Sequence, residues 1–135
     1  MRAYDAVLIE TPEYDYAIPG LLTAALDWAL RSRYDPTPFR HKPVGIVGAS
    51  PAGGGGTARG QMVLSQILLH PPAYVMPEPQ LLIPFSRQKF VEDGNLVDEE
   101  TRDRLRRFLS ALAEWTQRFE EPMKAQQGEA HEGRG

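Results

Sequence analysis

At 135 residues the chain is long enough for one modest hydrophobic core and no more. Its 41% hydrophobic and 24% charged residues are ordinary values for a folded domain and exclude disordered and collagen-like classes. A net charge of −3 argues against nucleic acid or an anionic membrane as partner, since both reward a basic face, and the lack of cysteine excludes a disulfide framework, thiol catalysis and cysteine-based zinc sites.

The absence of cysteine fits a cytoplasmic location. The apolar runs are a few residues long, far short of the ~20 a membrane span requires. The first residues, MRAYDAVLIETPEY, carry Asp5 and Glu10 around a short apolar run and so lack the core of a signal peptide.

In chain order, Ala6-Val7-Leu8-Ile9 is a continuous apolar run bounded by Asp5 and Thr11-Pro12, as expected of a parallel strand covered on both faces. A helix is predicted from Pro19, a residue suited to a first helical position because it lacks the orphan N–H. Leu22, Ala25, Leu26 and Ala29 recur along it at helical spacing, with Trp28 close by. Tyr34 to Pro43 holds three prolines and reads as a surface loop. Val44 to Ala49 is a second buried strand and runs into the glycine-rich segment from Ser50 to Gly56. A second helix is predicted over Ala58 to Leu69, stopping before Pro71-Pro72. Leu81-Leu82-Ile83 is a third strand, and Asp93-Gly94-Asn95 a turn. In the last helix Leu105, Phe108, Leu109, Leu112, Trp115 and Phe119 form one apolar stripe, with Asp98 as N-cap and Glu99 and Glu100 in the favourable first turn. The polar stretch from 120 to 135 is predicted to be disordered. The order β-α-β-α-β-α, with helix-length connections, specifies an α/β fold with a parallel, doubly wound sheet.

In such sheets ligands bind beyond the carboxyl ends of the strands. Two segments of unusual composition lie at such ends. The first, Thr11 to Gly20, is stiffened by Pro12 and Pro19 and offers Tyr14 and Tyr16 as flat faces, though by composition alone an ordinary strand-to-helix turn with two surface tyrosines is the plainer reading. The second contains four successive glycines, Gly53 to Gly56, which let backbone amides approach a ligand without Cβ obstruction; a flexible loop is the plainer alternative. A phosphate-binding P-loop would need a lysine where Gly54 stands. The glycine run matches a dinucleotide fingerprint only loosely, because its acid about 20 residues on, Glu78, precedes a strand instead of ending one. Gly48-x-Ser50-x-Ala52 imitates a nucleophile elbow, but the oxyanion hole requires an N–H on the residue after serine, and Pro51 has none. The histidines His41, His70 and His131 are scattered, and no set of residues has metal-ligand spacing. Arg102, Arg104, Arg106 and Arg107 alternate with acids and read as a solvated helix face.

The stretch from Thr11 to Gly20, TPEYDYAIPG, followed by Leu26-Asp27-Trp28, resembles the NADPH-dependent FMN reductase family, whose pattern there is T-P-E-Y-N-x-S-x-P-G-x-L-K-N-A-[IL]-D-W. Lys42-Pro43-Val44 leading to Gly48-Ala49-Ser50 and the glycine run resembles the family's second flavin loop. Asp93-Gly94-Asn95-Leu96-Val97-Asp98, with Thr101 and Leu105, resembles its C-terminal D-G-x-L-x-D-x-x-T-x-x-x-L block. The resemblance spans Asp5 to about Phe119.

It implies a flavodoxin-like three-layer α/β/α fold of strand order 2-1-3-4-5, in which this chain supplies strands 3, 4 and 5, with residues 1 to 119 forming a partial domain. It implies hydride transfer from NAD(P)H through FMN to a quinone, azo compound, flavin or similar small-molecule acceptor, and a homo-oligomer, dimer or tetramer, that uses the helix Pro19 to Leu30. It also carries Pro12, Glu13, Tyr14 and Asp15, largely as backbone donors, and Ser50, Gly53, Gly54 and Gly55 to the flavin ring. Asp15 stands where the family has Asn, which puts a carboxylate near an electron-rich ring. No segment matches the family's G-S-x-R-x-x-S-x-N loop, which holds the FMN phosphate, so the chain is expected to be a portion cut off downstream of that loop, binding FMN weakly or not at all by itself and self-associating through an open strand edge. Two other readings stay open: a non-catalytic remnant or split-gene product that binds no flavin alone, and an α/β-hydrolase-like enzyme.

Overall fold

The computed structural model describes residues 4–31, 38–53, 55–70 and 72–120. Residues 121 to 135 of the tail expected to be disordered from 120, and residues 34 to 37 of the surface loop expected from 34 to 43, lie outside those residues. The elements are β1 (Val7–Glu10), α1 (Gly20–Leu30), β2 (Pro43–Ala49), α2 (Ala58–Ile67), β3 (Tyr74–Val75), β4 (Leu81–Ile83) and α3 (Glu99–Gln117), with a short 3₁₀ turn over Ser86–Gln88. Every strand pairing is parallel. The expected α/β class and parallel sheet are therefore present.

β2 is the centre of the sheet. β1 lies along one side of it, with Val7 opposite Val44 and Glu10 opposite Val47. On the other side two short strands share one lane: β3 pairs with Pro43 and Val44, and β4 with Val47 to Ala49. Sequence reading finds β4 but misses β3, because two residues between the prolines 72 and 77 carry no period to read. Pro43, placed in a loop by composition, opens β2; a first strand position tolerates proline's missing donor. α1 begins at Gly20, not Pro19. Pro19 has an extended ψ of 141° and serves as the residue before the helix, its carbonyl accepting from the Thr23 amide at 3.1 Å. α2 ends at Ile67, and Leu68 and Leu69 close it as a turn.

The strand period of two separates two cores. Val44 and Ile46 point to the face covered by α1 and α2, where they pack with Ile18, Leu26, Phe39, Leu64 and Leu68. On the opposite face Phe108 and Leu112 of α3 pack with Met76, Leu81 and Ile83, and with Val47 and Ala49. Gly45 lets α3 approach closely, since a Cβ there would lie 2.9 Å from Leu112 and 3.1 Å from Phe108. The predicted stripe on α3 is narrower than expected. Leu109 is 44% exposed, because a neighbour one position from Phe108 is rotated about 100° off the buried face. Beyond the stripe, Phe119 stacks on Tyr74 at 4.0 Å, and the Trp115 indole donates to the Tyr74 carbonyl at 2.8 Å, which pins the end of α3 to β3.

The start of α3 is held by Asp98, whose carboxylate accepts from the Thr101 amide at 2.9 Å, as the sequence predicts for the N-cap. Lys89 bonds both Asp98, at 3.3 Å, and the buried Thr101 hydroxyl, at 2.8 Å. The predicted turn at Asp93-Gly94-Asn95 forms with Gly94 at φ 85° and returns the chain so that Phe90 faces Leu96. Hydrogen bonds from Thr101, with a smaller contribution from Lys89, hold the Asp98 carboxyl below its ordinary 3.8.

Two predictions follow from this packing. A carboxyl with a lowered folded-state pKa stabilises the fold fully above its unfolded value and loses that contribution as pH falls through the folded value. The difference in urea midpoint between wild type and Asp98→Ala is therefore expected to be larger at about pH 7 than at about pH 2. Gly48→Ala tests the centre of the sheet. Its Cβ would fall 2.0 Å from the Thr57 hydroxyl and 2.5 Å from the Thr11 carbonyl oxygen. It is expected to destabilise the fold by about 3 kcal/mol in urea unfolding, the cost of forcing backbone apart in a filled interior.

Candidate functional site

Because the sheet is parallel, the carboxyl ends of β1, β2 and β4 lie together, and the loops that leave them share one end of the molecule. The two segments singled out by composition are both there. They meet over Gly48, which is wedged between the Thr11 carbonyl at the start of the first loop and the Thr57 side chain at the end of the second. Thr11 and Thr57 are fully buried, and the Thr11 amide extends the β1–β2 ladder by donating to the Val47 carbonyl at 3.0 Å.

The first loop contains a two-residue hairpin that sequence reading did not anticipate. Tyr14 and Ala17 exchange backbone hydrogen bonds at 3.0 and 2.9 Å, and between them Asp15 and Tyr16 have φ of 49° and 66°. Positive φ at both central positions is what a type I′ turn requires. Asp tolerates that conformation through its short polar side chain, and tyrosine does so at a cost. Tyr16 regains part of that cost from Arg59, whose guanidinium lies 4.0 Å over its ring, a contact worth about 0.5–1 kcal/mol at an exposed position. Tyr14 is exposed with no ring partner among the described residues.

Glu13 turns inward. Its carboxylate accepts from the Gly60 amide at 2.9 Å, in the first turn of α2. Thr57, the residue before α2, gives no side-chain cap; its hydroxyl accepts instead from the Gln61 amide, which also reaches the Leu81 carbonyl. Glu13 therefore supplies from another loop the acceptor and negative charge that a helix N-terminus favours.

In the second loop the Ser50 hydroxyl accepts from the Ala52 amide at 3.2 Å, and the Ser50 backbone bridges to β4 and beyond through Ile83 and Ser86. No histidine bonds that hydroxyl among the described residues, in keeping with the poor nucleophile that Pro51 implies. Gly53 packs against Phe85, whose ring would lie 2.6 Å from a Cβ there. Phe85, half exposed at φ 54°, was missed from sequence, where its position just after β4 is the sole signal. Gly55 and Gly56 have φ of 92° and 65°, which turn the chain into α2. Gly54 lies outside the described residues.

Pro12 to Asp15 and Ser50, Gly53 and Gly55 thus share one end of the sheet. Among the described residues, no protein group accepts from the backbone N–H of Glu13, Asp15, Gly53 or Gly55. Such a set of free amides, with exposed aromatic faces at Tyr14 and Phe85, fits a planar ring that presents carbonyl oxygens and ring nitrogens. A cavity of about 520 Å³ lies elsewhere, between α2 and the β3–β4 segment, and none of these residues lines it. Its lining of Met62, Leu69, Met76, Pro77 and Pro79 offers few convergent donors, and its Gln61 is already committed. No group of three or more His, Asp or Glu side chains that could hold a metal ion occurs among the described residues, and no helix there is long and apolar enough to cross a membrane.

Residues 1–88 match the family model described as NADPH-dependent FMN reductase. The match begins at residue 1 and lends no support to the expectation that the chain lacks an upstream phosphate loop. Among curated proteins, the chain is 41% identical over 119 residues to the NAD(P)H-dependent FMN reductase PA1204 of Pseudomonas aeruginosa, covering 88% of this chain and 63% of that protein. It is 39% identical over 119 residues to the quinone reductase of Escherichia coli, covering 87% and 62%. Among solved structures, FerB, the flavoenzyme NAD(P)H:(acceptor) oxidoreductase of Paracoccus denitrificans, superposes with a TM-score of 0.75 at 34% identity, over 87% of this chain and 63% of that one. The chain thus spans a little under two thirds of the length of these relatives and shares the flavodoxin-like fold of FerB. With the family model and the relatives in agreement, the chain belongs to the NADPH-dependent FMN reductase family.

Proposed function

We propose that this chain takes part in NAD(P)H-dependent reduction of a small acceptor, a quinone foremost, by holding the ring of FMN between its first and second loops. The observation that carries the reading is the convergence of Pro12–Asp15 with Ser50, Gly53 and Gly55 at the carboxyl ends of adjacent parallel strands, with backbone amides on both loops that have no protein acceptor among the described residues. FMN, when bound, supplies the hydride chemistry, so no side-chain nucleophile or base is required. The chain's own residues bind and orient: amides of Glu13 and Asp15 from one loop and of Gly53 and Gly55 from the other meet ring acceptors, and Tyr14 and Phe85 shield its faces from water. Pro12 stiffens the first loop, and Ser50 ties the second to β4. Gly54 completes the second set by sequence. The relatives named as quinone reductases support a quinone as acceptor.

The finer topology belongs to the same proposal. β1, β2 and the joint β3–β4 lane correspond to strands 3, 4 and 5 of a 2-1-3-4-5 sheet. Supporting this, β1 pairs with β2 alone among the described residues, and Leu8, on the face where α3 covers β2 and β4, is 46% exposed. The outer face of α1, with Leu21 at 87% and Trp28 at 81% exposure one above the other, suits burial against a second copy in a homo-oligomer. The hydrolase alternative lacks a base: among the described residues no histidine bonds the Ser50 hydroxyl.

All of the assigned contacts are to the ring and none to the phosphate. Titration of the purified protein with FMN and with riboflavin, followed by quenching of flavin fluorescence, is expected to give dissociation constants within about fivefold of each other. No quenching with either flavin would favour the non-catalytic remnant. Asp15→Asn is expected to tighten FMN binding about fivefold, equivalent to ~1 kcal/mol, by removing a partly solvated carboxylate from beside the ring. Equal or weaker binding by the Asn form counts against the placement of Asp15.

A further inference from the structure

We infer that Glu13 is a positioning residue: its side chain does not serve the ligand directly but locks the first ligand loop onto the first turn of α2, so that the two loops hold one spacing. The inference rests on the functional reading above and adds to it a device that couples the two loops. Three observations meet at this point. The Glu13 carboxylate accepts from the Gly60 amide at 2.9 Å, across 47 residues of chain. Gly60 is a buried helical glycine whose missing side chain makes room for the loop, since a Cβ there would lie 3.2 Å from the Ala17 carbonyl oxygen and 3.4 Å from the Glu13 Cβ. One residue earlier on the same turn, the Arg59 guanidinium lies 4.0 Å over the ring of Tyr16.

The consequence follows from connectivity. α2 begins at Ala58, directly after Gly56-Thr57, so its first turn is continuous with the end of the second loop. A loop clamped to that turn at Glu13 and at Tyr16 has its free Glu13 and Asp15 amides fixed relative to those of Gly53 and Gly55. Glycine within a helix is unfavourable relative to alanine, and the seat of the loop gives Gly60 a reason to be there. The carboxylate also fills the N-terminus of α2, which would otherwise attract an anionic group of the ligand, so the ligand is directed to the loop amides instead.

The test compares wild type with Glu13→Gln, Glu13→Ala and Gly60→Ala. Three properties are measured: hydrogen exchange at the Gly60 amide without flavin, FMN affinity, and the visible circular dichroism of bound FMN. The Gln form keeps an acceptor and is expected to retain slow exchange at Gly60, wild-type dichroism and FMN affinity within about threefold. Glu13→Ala is expected to speed exchange at Gly60, weaken FMN binding about tenfold and alter the dichroism, because the ring then sits in a loosened site. Gly60→Ala, which leaves Glu13 in place and lifts the loop, is expected to alter the dichroism in the same sense even if Glu13→Ala does not fold. Wild-type affinity and dichroism in Glu13→Ala, or in Gly60→Ala when the former does not fold, would overturn the inference while leaving the functional reading intact. A wild-type protein with slow exchange at Gly60 but no FMN binding would overturn the functional reading and this inference with it.

Discussion

The site where a Cβ of residue 48 would stand is already occupied by the Thr57 hydroxyl and the Thr11 carbonyl. The rest of this end of the sheet is arranged around that contact. β2 supplies the central strand, and at Gly48 its backbone is bare enough for the exits of β1 and the entry to α2 to close over it. Thr11 and Thr57 are fully buried as a result, each with its polar atom bonded: the Thr11 hydroxyl to the Pro12 carbonyl at 2.8 Å, and the Thr57 hydroxyl to Gln61 at 3.0 Å. Burial at this point is tolerable because no polar side-chain atom is left unsatisfied there among the described residues.

From that contact the two loops depart in opposite styles. The first is stiffened three times over, by Pro12, by the positive-φ hairpin at Asp15 and Tyr16, and by the attachment of Glu13 and Tyr16 to α2. The second is held by Ser50 against β4 and Ser86 and by Gly53 under Phe85, and among the described residues its Gly53 and Gly55 amides have no protein acceptor. A rigid jaw facing a jaw of bare backbone suits recognition of a flat ring, where affinity depends on donors already in place before the ligand arrives. On the proposed reading the redox chemistry belongs to the cofactor the family uses, and that reading calls for no activated serine or acid–base pair.

Composition marked both loops, and topology made them neighbours, because loops at the carboxyl ends of adjacent parallel strands must share an end of the sheet. What composition could not show was the direction of each side chain. Glu13 reads as a ligand residue in a motif, yet its carboxylate spans to a helix 47 residues on. Phe85 carries no motif and still reaches Gly53. Leu109 fits the helical stripe by spacing and stands largely in solvent. Each outcome depends on a partner far away in sequence.

By itself the sequence determined what local chemistry dictates: β1, β2 and β4 as apolar runs, α3 from its stripe and its Asp98 cap, the turn at Gly94, and family membership from three ordered blocks. These are legible because they depend on periods, caps and short-range sterics within about ten residues. The tertiary structure alone decided that β3 and β4 share one lane beside β2, that Asp15 and Tyr16 form a left-handed hairpin, and that Glu13 caps α2. Those outcomes follow from where the backbone of β2 leaves room, above all at Gly45 and Gly48, and which atoms fill a space is settled only when the chain has closed around it.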